Sequence, residues 1–279
     1  MSRKWQSCTK VMRYKYISFF RLRFAMGLQY RTAAAAGIVT QFFWGVMEIL
    51  VFRAFYEADA AVFPMHFEAV VTYIWLQQAF LAVFGAWIME PEIFDAIRDG
   101  NIAYELCRPV SIYQMWFSRT LANRTSKALL RCIPILTVAA LLPAPYELER
   151  PASWLHFGLF LWTLMLGLLV MVAFTMLVYI ITFYTISPDG VRIFCVSAVE
   201  FFAGAVIPLP FFPDKLQYVM ELLPFAAMQN VPLRIYSGSM SETEMLRAIC
   251  LQMFWLVVLT VLGMSLCRRA ERRVTVQGG

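Results

Sequence analysis

Ser187-Pro188-Asp189-Gly190 is a short polar turn wedged between two long apolar runs. Before it, residues 156–183 are nearly free of charge; after it, residues 191–207 carry only Arg192 and Glu200. Two stretches of membrane-crossing length joined by so tight a turn predict a helical hairpin through a bilayer.

Working outward, the same pattern recurs. The chain has 279 residues, 61% of them hydrophobic and 15% charged. A soluble domain is about 45–50% apolar and about 25% charged, so an ordinary globular core does not explain this composition. A bilayer needs about 20 apolar residues per helical crossing. Six runs are expected to qualify: 33–55, 69–89, 126–142, 157–183, 191–207 and 246–267. The third is interrupted by Arg131 and Pro134. The runs are continuous rather than alternating, which excludes a β-barrel. The expected fold class is therefore all-α integral membrane, with six transmembrane helices.

Lysine and arginine set the orientation. Residues 1–32 hold eight of them and no acidic residue. With Arg98, Arg108, Arg119, Arg124, Lys127, Arg131, Arg192, Arg268, Arg269, Arg272 and Arg273, nineteen of the 24 cations fall on one face. Both termini are thus expected in the cytoplasm, in keeping with an even number of spans. The net charge of +6 reads as membrane topology. The basic residues flank spans instead of tracking one surface, so nucleic acid is not an expected partner. No cleavable signal is expected, because the first apolar run begins only after 32 residues.

The six cysteines have no Cys-x-x-Cys spacing, and His66 and His156 each lie near a span end. Neither a disulfide framework nor a metal site is expected.

Between the runs, four segments carry information. Residues 5–30 mix basic residues with Tyr14, Tyr16, Phe19, Phe20 and Phe24, which suits a helix lying in the cytoplasmic interface. In the loop after the second run, Pro91 suits a first helical turn, complemented by Glu92 and Asp95, and Gly100 reads as the stop. A second short helix, 101–107, is expected to end before Pro109. Ile93, Phe94, Ile97, Ile102, Tyr104 and Leu106 lie among charged residues there, and suit either docking onto another protein or packing on the chain's own span ends. Residues 208–238 hold Pro208, Pro210, Pro213, Pro224 and Pro232 yet stay apolar. Short helices at the outer leaflet or a re-entrant hairpin are expected, since proline forbids one continuous helix. Ser241-x-x-Glu244 then reads as a capping box opening the last helix.

Glu48, Arg131 and Glu200 are ionisable residues well inside spans, where each costs roughly 2.5–3.5 kcal/mol on insertion scales. Arg131 and Glu200 lie at similar depth, so an ion pair between them, within one subunit or across a dimer, is expected. Contact with a substrate or a proton relay is the alternative. No lysine follows a glycine, so the Gly-Lys-Ser/Thr phosphate loop is absent. Gly-x-Ser-x-Gly and His-Glu-x-x-His are absent too. A membrane-embedded enzyme would gather His, Asp, Ser or Cys inside the bilayer. A secondary transporter would show inverted repeats and broken helices. Neither pattern is visible, and a membrane scaffold shares the same composition.

The loop Asp99-Gly100-Asn101-Ile102-Ala103-Tyr104-Glu105-Leu106-Cys107-Arg108-Pro109-Val110 resembles the cytoplasmic loop of ABC-2-type permeases, in which a Gly, a Leu-x-Arg-Pro and a following apolar residue recur. Gly204-Ala205-Val206-Ile207-Pro208-Leu209-Pro210-Phe211-Phe212-Pro213 is similar to the region after that family's fifth span. So are Leu222-Leu223-Pro224-Phe225 and residues 232–238. The likeness covers essentially the whole chain, in order. It implies a permease subunit of an ATP-driven ABC exporter in the bacterial inner membrane. It also implies a second permease, identical or related, and two copies of a separate ATPase subunit that carries the ATP and magnesium. This chain would have no catalytic residue and no cofactor of its own. Residues 1–32 would be the connecting helix, 90–112 the coupling loop and 268–279 a cytoplasmic tail. Glu92, Phe94, Asp99, Gly100, Tyr104, Arg108 and Pro109 would couple to the ATPase. Residues 208–238, with Gly204 ahead of them, would cap the path through Gly204, Pro208, Pro213, Pro224, Pro232 and Gly238. Apolar spans lean towards lipids, amphiphilic drugs or peptides as cargo.

Overall fold

The structure is a computed structural model that describes residues 2–59, 63–185 and 188–272, with side chains from residue 14 onward except residue 33. All its regular structure among these residues is helical. In chain order the helices are α1 (Ser2–Gly27), α2 (Arg31–Asp59), α3 (Phe67–Ala79), α4 (Leu81–Phe84), α5 (Pro91–Arg98), α6 (Ile102–Leu106) and α7 (Ile112–Leu141). They continue as α8 (Trp154–Ile181), α9 (Pro188–Phe202), α10 (Asp214–Leu222), α11 (Pro224–Met228), α12 (Asn230–Tyr236) and α13 (Glu242–Glu271).

Among the described residues, three helices are long and apolar enough to cross a membrane: residues 34–59 of α2, α8 with its following 3₁₀ turn, and α13. The expected spans 33–55, 157–183 and 246–267 lie on them. The most apolar, α8, is the central post, with 72% of its apolar window buried, against 22% for α2 and 17% for α13. Apolar residues on α2 and α13 point outward: Phe43, Trp44, Leu50, Phe254, Val257 and Val261 are exposed.

The other three runs differ from uninterrupted spans. Residues 69–89 are not one helix: α3 ends at Ala79, α4 adds one turn, and Gly85 leaves helical geometry at φ −61°, ψ 113°. This stretch is buried almost throughout from Val70 to Ala86, so its apolarity serves the core. The third run begins earlier than expected, since α7 starts at Ile112 and carries Arg119, Arg124, Lys127 and Arg131 along its first two thirds. In the fifth, Pro188, Asp189 and Gly190 form the first turn of α9 instead of a separate turn, and Ser187 lies outside the described residues. At 15 residues, α9 is about 22 Å long, short of the ~30 Å hydrocarbon core. The last helix runs to Glu271, so the expected tail begins four residues late, and residues 273–279 lie outside the described set.

One end of the molecule gathers α1, the α5–α6 segment and the end of α13. The Tyr16 hydroxyl accepts from the Ser111 amide at 3.0 Å, and residues 106–114 face Met264, Cys267 and Arg268 across a cleft of about 340 Å³. The opposite end holds the 143–153 connection, where Tyr236 donates to the Glu149 carbonyl at 3.1 Å and Trp75 to that of Tyr146 at 2.9 Å. Tyr16 of α1, the 90–112 segment and the end of α13 therefore share one side. His66 stands just before α3, and His156 sits in the first turn of α8, hydrogen-bonded to the N-cap Ser153. The capping box of α13 is present, with Glu244 and Ser241 each bonding the other's amide. The five described cysteines are free.

Candidate functional site

The 90–112 segment is a bracket of two short helices pinned against α7 and α8. Pro91 starts α5, and Gly100, at φ +74°, turns the chain into α6; only glycine takes that backbone geometry at no steric cost. Ile93, Phe94 and Ile102 form its buried underside. Phe94 meets Tyr179 of α8 edge-on with ring centroids 5.0 Å apart. The outer surface carries Asp99, Tyr104, Arg108 and Pro109, all exposed, Tyr104 at 74%. Arg98 pairs with Asp95 at 2.9 Å and with Asp99 at 3.1 Å; the Asp99 hydrogen bond chiefly holds its guanidinium above its ordinary value. Self-packing, one of the two roles expected, is met by the inner face, while the outer face is left exposed.

Glu90 is the anchor of the bracket. Its amide donates to the Tyr179 hydroxyl at 2.6 Å, its carboxylate accepts from Arg119 Nε at 3.3 Å, and Asn123 donates to its other oxygen. Arg119 also reaches Glu92. Trp116 donates to Glu105 at 2.7 Å, tying α6 to α7. One turn further on, Arg124 is fully buried. It donates to the carbonyls of Ala82, Val83 and Gly85 at 3.4, 3.2 and 3.0 Å, and to that of Ile88 at 2.8 Å. A helix that stops inside a fold leaves orphan carbonyls, and a guanidinium presents five donors to satisfy them. Arg119 and Arg124 read in the sequence as orientation charges alone. Glu90-Pro91-Glu92 directly after an apolar run, with Arg119 and Arg124 just ahead of the next, is the available signal.

A second cluster lies where α9 ends. Gly204, at φ +78°, exposes carbonyls that side chains of other helices take. Tyr73 donates to Gly204 at 3.0 Å, Gln77 to Ala205 at 2.8 Å, and Gln229 to Gln77 at 3.0 Å. The proline-rich segment packs inward from here. Pro208 precedes a 3₁₀ turn, Pro213 caps α10, Pro224 opens α11, and Pro232 is buried within α12. Gly238, at φ +66°, turns the chain out beside Ala152. Gly167, midway along α8, is so close to α11 that a Cβ there would lie 2.5 Å from the Met228 carbonyl oxygen. Gln252 of α13 donates to Ala227 at 2.8 Å and to Thr163 at 3.1 Å. α11 and α12 are largely buried, whereas α10 lies on the surface with Leu216, Tyr218 and Val219 exposed, so the segment combines features of both arrangements expected.

The three intramembrane charges are not brought together. Glu48 accepts from Gln78 at 3.5 Å. The Arg131 guanidinium lies over Gly37 of α2, and Glu200 sits half-buried on α9. Among the described residues no ion pair joins Arg131 to Glu200, so the pair expected within one subunit is not formed. The reason is geometric: Arg131 turns toward α2, whereas α9 packs on α8 and α11.

In comparison with known proteins, the family model described as "ABC-2 family transporter protein" matches residues 42–278. No curated protein matches the chain.

Proposed function

Since the chain belongs to the ABC-2 transporter family, as a multi-pass permease component and not a catalytic subunit, we propose that it forms half of the path of an ATP-driven exporter. In this reading residues 91–109 dock on the ATPase partner that the family implies. The six runs are its spans, with 69–89 and 191–207 crossing as interrupted helices. Two copies of the ATPase, holding ATP and magnesium, serve a pair of permeases, identical or related. The bacterial inner membrane surrounds it, with both termini in the cytoplasm. α1 is the connecting helix, and α10–α12 close the outer end of the path.

The observation that carries this reading is the asymmetry of the 91–109 bracket. Its inner face is bolted through Glu90, Arg119 and Tyr179 to α7 and α8, while Tyr104, Arg108 and Pro109 are free to meet a partner. A segment rigid on one side and exposed on the other transmits a push as a lever, shifting helix bundles between two arrangements. The anchor also changes which variants are informative. Glu92 contacts Arg119, so reversing its charge disturbs the anchor as well as the docking face. Tyr104→Glu with Arg108→Glu alters the exposed face alone. This double variant is expected to elute as wild type yet lose co-purification with the ATPase and substrate-stimulated ATP hydrolysis. Unchanged co-purification and turnover would overturn the docking assignment.

A further inference from the structure

Four cations follow one another along α7, and two of them are already neutralised. Arg119 is held by Glu90 and Glu92, and Arg124 by four carbonyls. Lys127 and Arg131 have no carboxylate within ion-pair reach among the described residues. Four residues apart, they share one face of the helix. Arg131 is partly buried. Its guanidinium fills the slot left by Gly37 of α2, where a Cβ would come within 2.7 Å of its Cζ, and its buried Nε has no acceptor.

One turn further along the same face of α2 lies Gln41. It is 3% exposed, and neither its amide nitrogen nor its amide oxygen has a partner. A buried donor without an acceptor is costly, and a buried charge more so. The crevice between α2 and α7 therefore leaves Arg131 Nε and both amide atoms of Gln41 unpartnered, with Lys127 one turn earlier on the Arg131 face and neither cation in an ion pair among the described residues.

We propose that this crevice receives the anionic headgroup, phosphate or carboxylate, of an amphiphile drawn from the inner leaflet. The proposal rests on the reading above, and names the substrate class of the same path. Depth favours it: Arg131 lies five residues beyond the start of the 126–142 run, roughly 8 Å along the helix, a depth from which a long cationic side chain reaches towards the headgroups. Ser126, one turn earlier, touches Gly27 where α1 meets α7. Basic crevices between membrane helices on the cytoplasmic side suit anionic headgroups.

The full chain, co-purified with its ATPase, is given equal amounts of dioleoylphosphatidylglycerol and dioleoylphosphatidylcholine in neutral detergent. Bound lipid per chain is then counted by native mass spectrometry. Wild type is expected to retain the anionic lipid with about tenfold preference, the scale of one lost charge-assisted contact. Lys127→Gln with Arg131→Gln abolishes the preference, whereas Arg131→Lys keeps most of it and guards against a mere folding effect. Displacement by inorganic phosphate would assign recognition to the anion alone; resistance to phosphate would assign it to the lipid-borne headgroup. An absence of preference in wild type overturns the proposal, as does an equal loss in Arg268→Gln. A preference that appears only in Glu200→Gln would give the crevice to a second copy's carboxylate, which also overturns it. Release of the ATPase by any variant bears on the docking reading and leaves the lipid count intact.

Discussion

Arg124→Leu tests the claim that one side chain permits the break after α4. The substitution keeps an apolar stem of similar reach and deletes the guanidinium. Of its four carbonyl contacts, those to Ile88 at 2.8 Å and Gly85 at 3.0 Å are short, and those to Val83 and Ala82, at 3.2 and 3.4 Å, share the same Nη1. Each buried acceptor left unsatisfied costs about 1–3 kcal/mol. Two full contacts and a shared remainder put the loss at about 3–5 kcal/mol, the range for breaking a buried charged contact. For a chain of this size that is a fall on the order of 10 °C in unfolding midpoint. Arg124→Lys keeps the charge but offers one nitrogen, which cannot reach Gly85 and Ile88 in the manner of a fork; it is expected to recover about half of the loss. The assay is thermal unfolding of the purified chain in detergent, followed by intrinsic fluorescence, with ATPase co-purification measured alongside. A Leu variant as stable as wild type, or a Lys variant indistinguishable from Arg, would refute the view that these carbonyls need this guanidinium.

Gly167→Ala places a methyl group against the Met228 carbonyl and should cost about 1–3 kcal/mol by overpacking, with proteolysis first exposing residues 224–236; protection equal to wild type would count against the close packing of α11 on α8. Gly100→Ala meets no atom within 4 Å, so only the positive φ opposes it, at roughly 1 kcal/mol, and midpoint measurements should show a small shift; Gly100→Pro, which cannot reach φ +74° at all, should abolish substrate-stimulated hydrolysis. Ser241→Ala removes the cap of α13 for about 1 kcal/mol, read from the unfolding midpoint. The Glu244 carboxylate is held below its ordinary 4.5 chiefly by the Ser241 amide, so its contribution is present above that value and fades as pH falls through the lowered one. Wild type should therefore lose a small increment of stability in that acid window that Glu244→Gln does not, and parallel pH profiles would rule the carboxylate out.

Much of the site was legible residue by residue. Pro91 and Gly100 bound α5 as their backbone preferences dictate, and Ser241 with Glu244 caps α13, because both signals act within four residues. The apolar underside of the bracket, Ile93 and Phe94, was visible as apolar residues among charges, though the sequence left docking and self-packing open. Glu90, Arg119 and Arg124 were missed as a unit because their partners lie roughly 30–40 residues away along the chain. Nothing in a local window ties a charge at 124 to a carbonyl at 85.

The sequence by itself determined that the chain is helical, apolar in membrane-length runs, and basic on one side. These properties sum over contiguous residues, and hydropathy and charge need no partner to be read. Only the tertiary structure decided where those runs break, which of them faces outward, and which cations remain unneutralised. A backbone can leave its own hydrogen bonds inside a fold only where another helix supplies replacements. Arg124 supplies them after α4, and Tyr73, Gln77 and Gln229 supply them after α9, so both interruptions were set by residues distant in sequence.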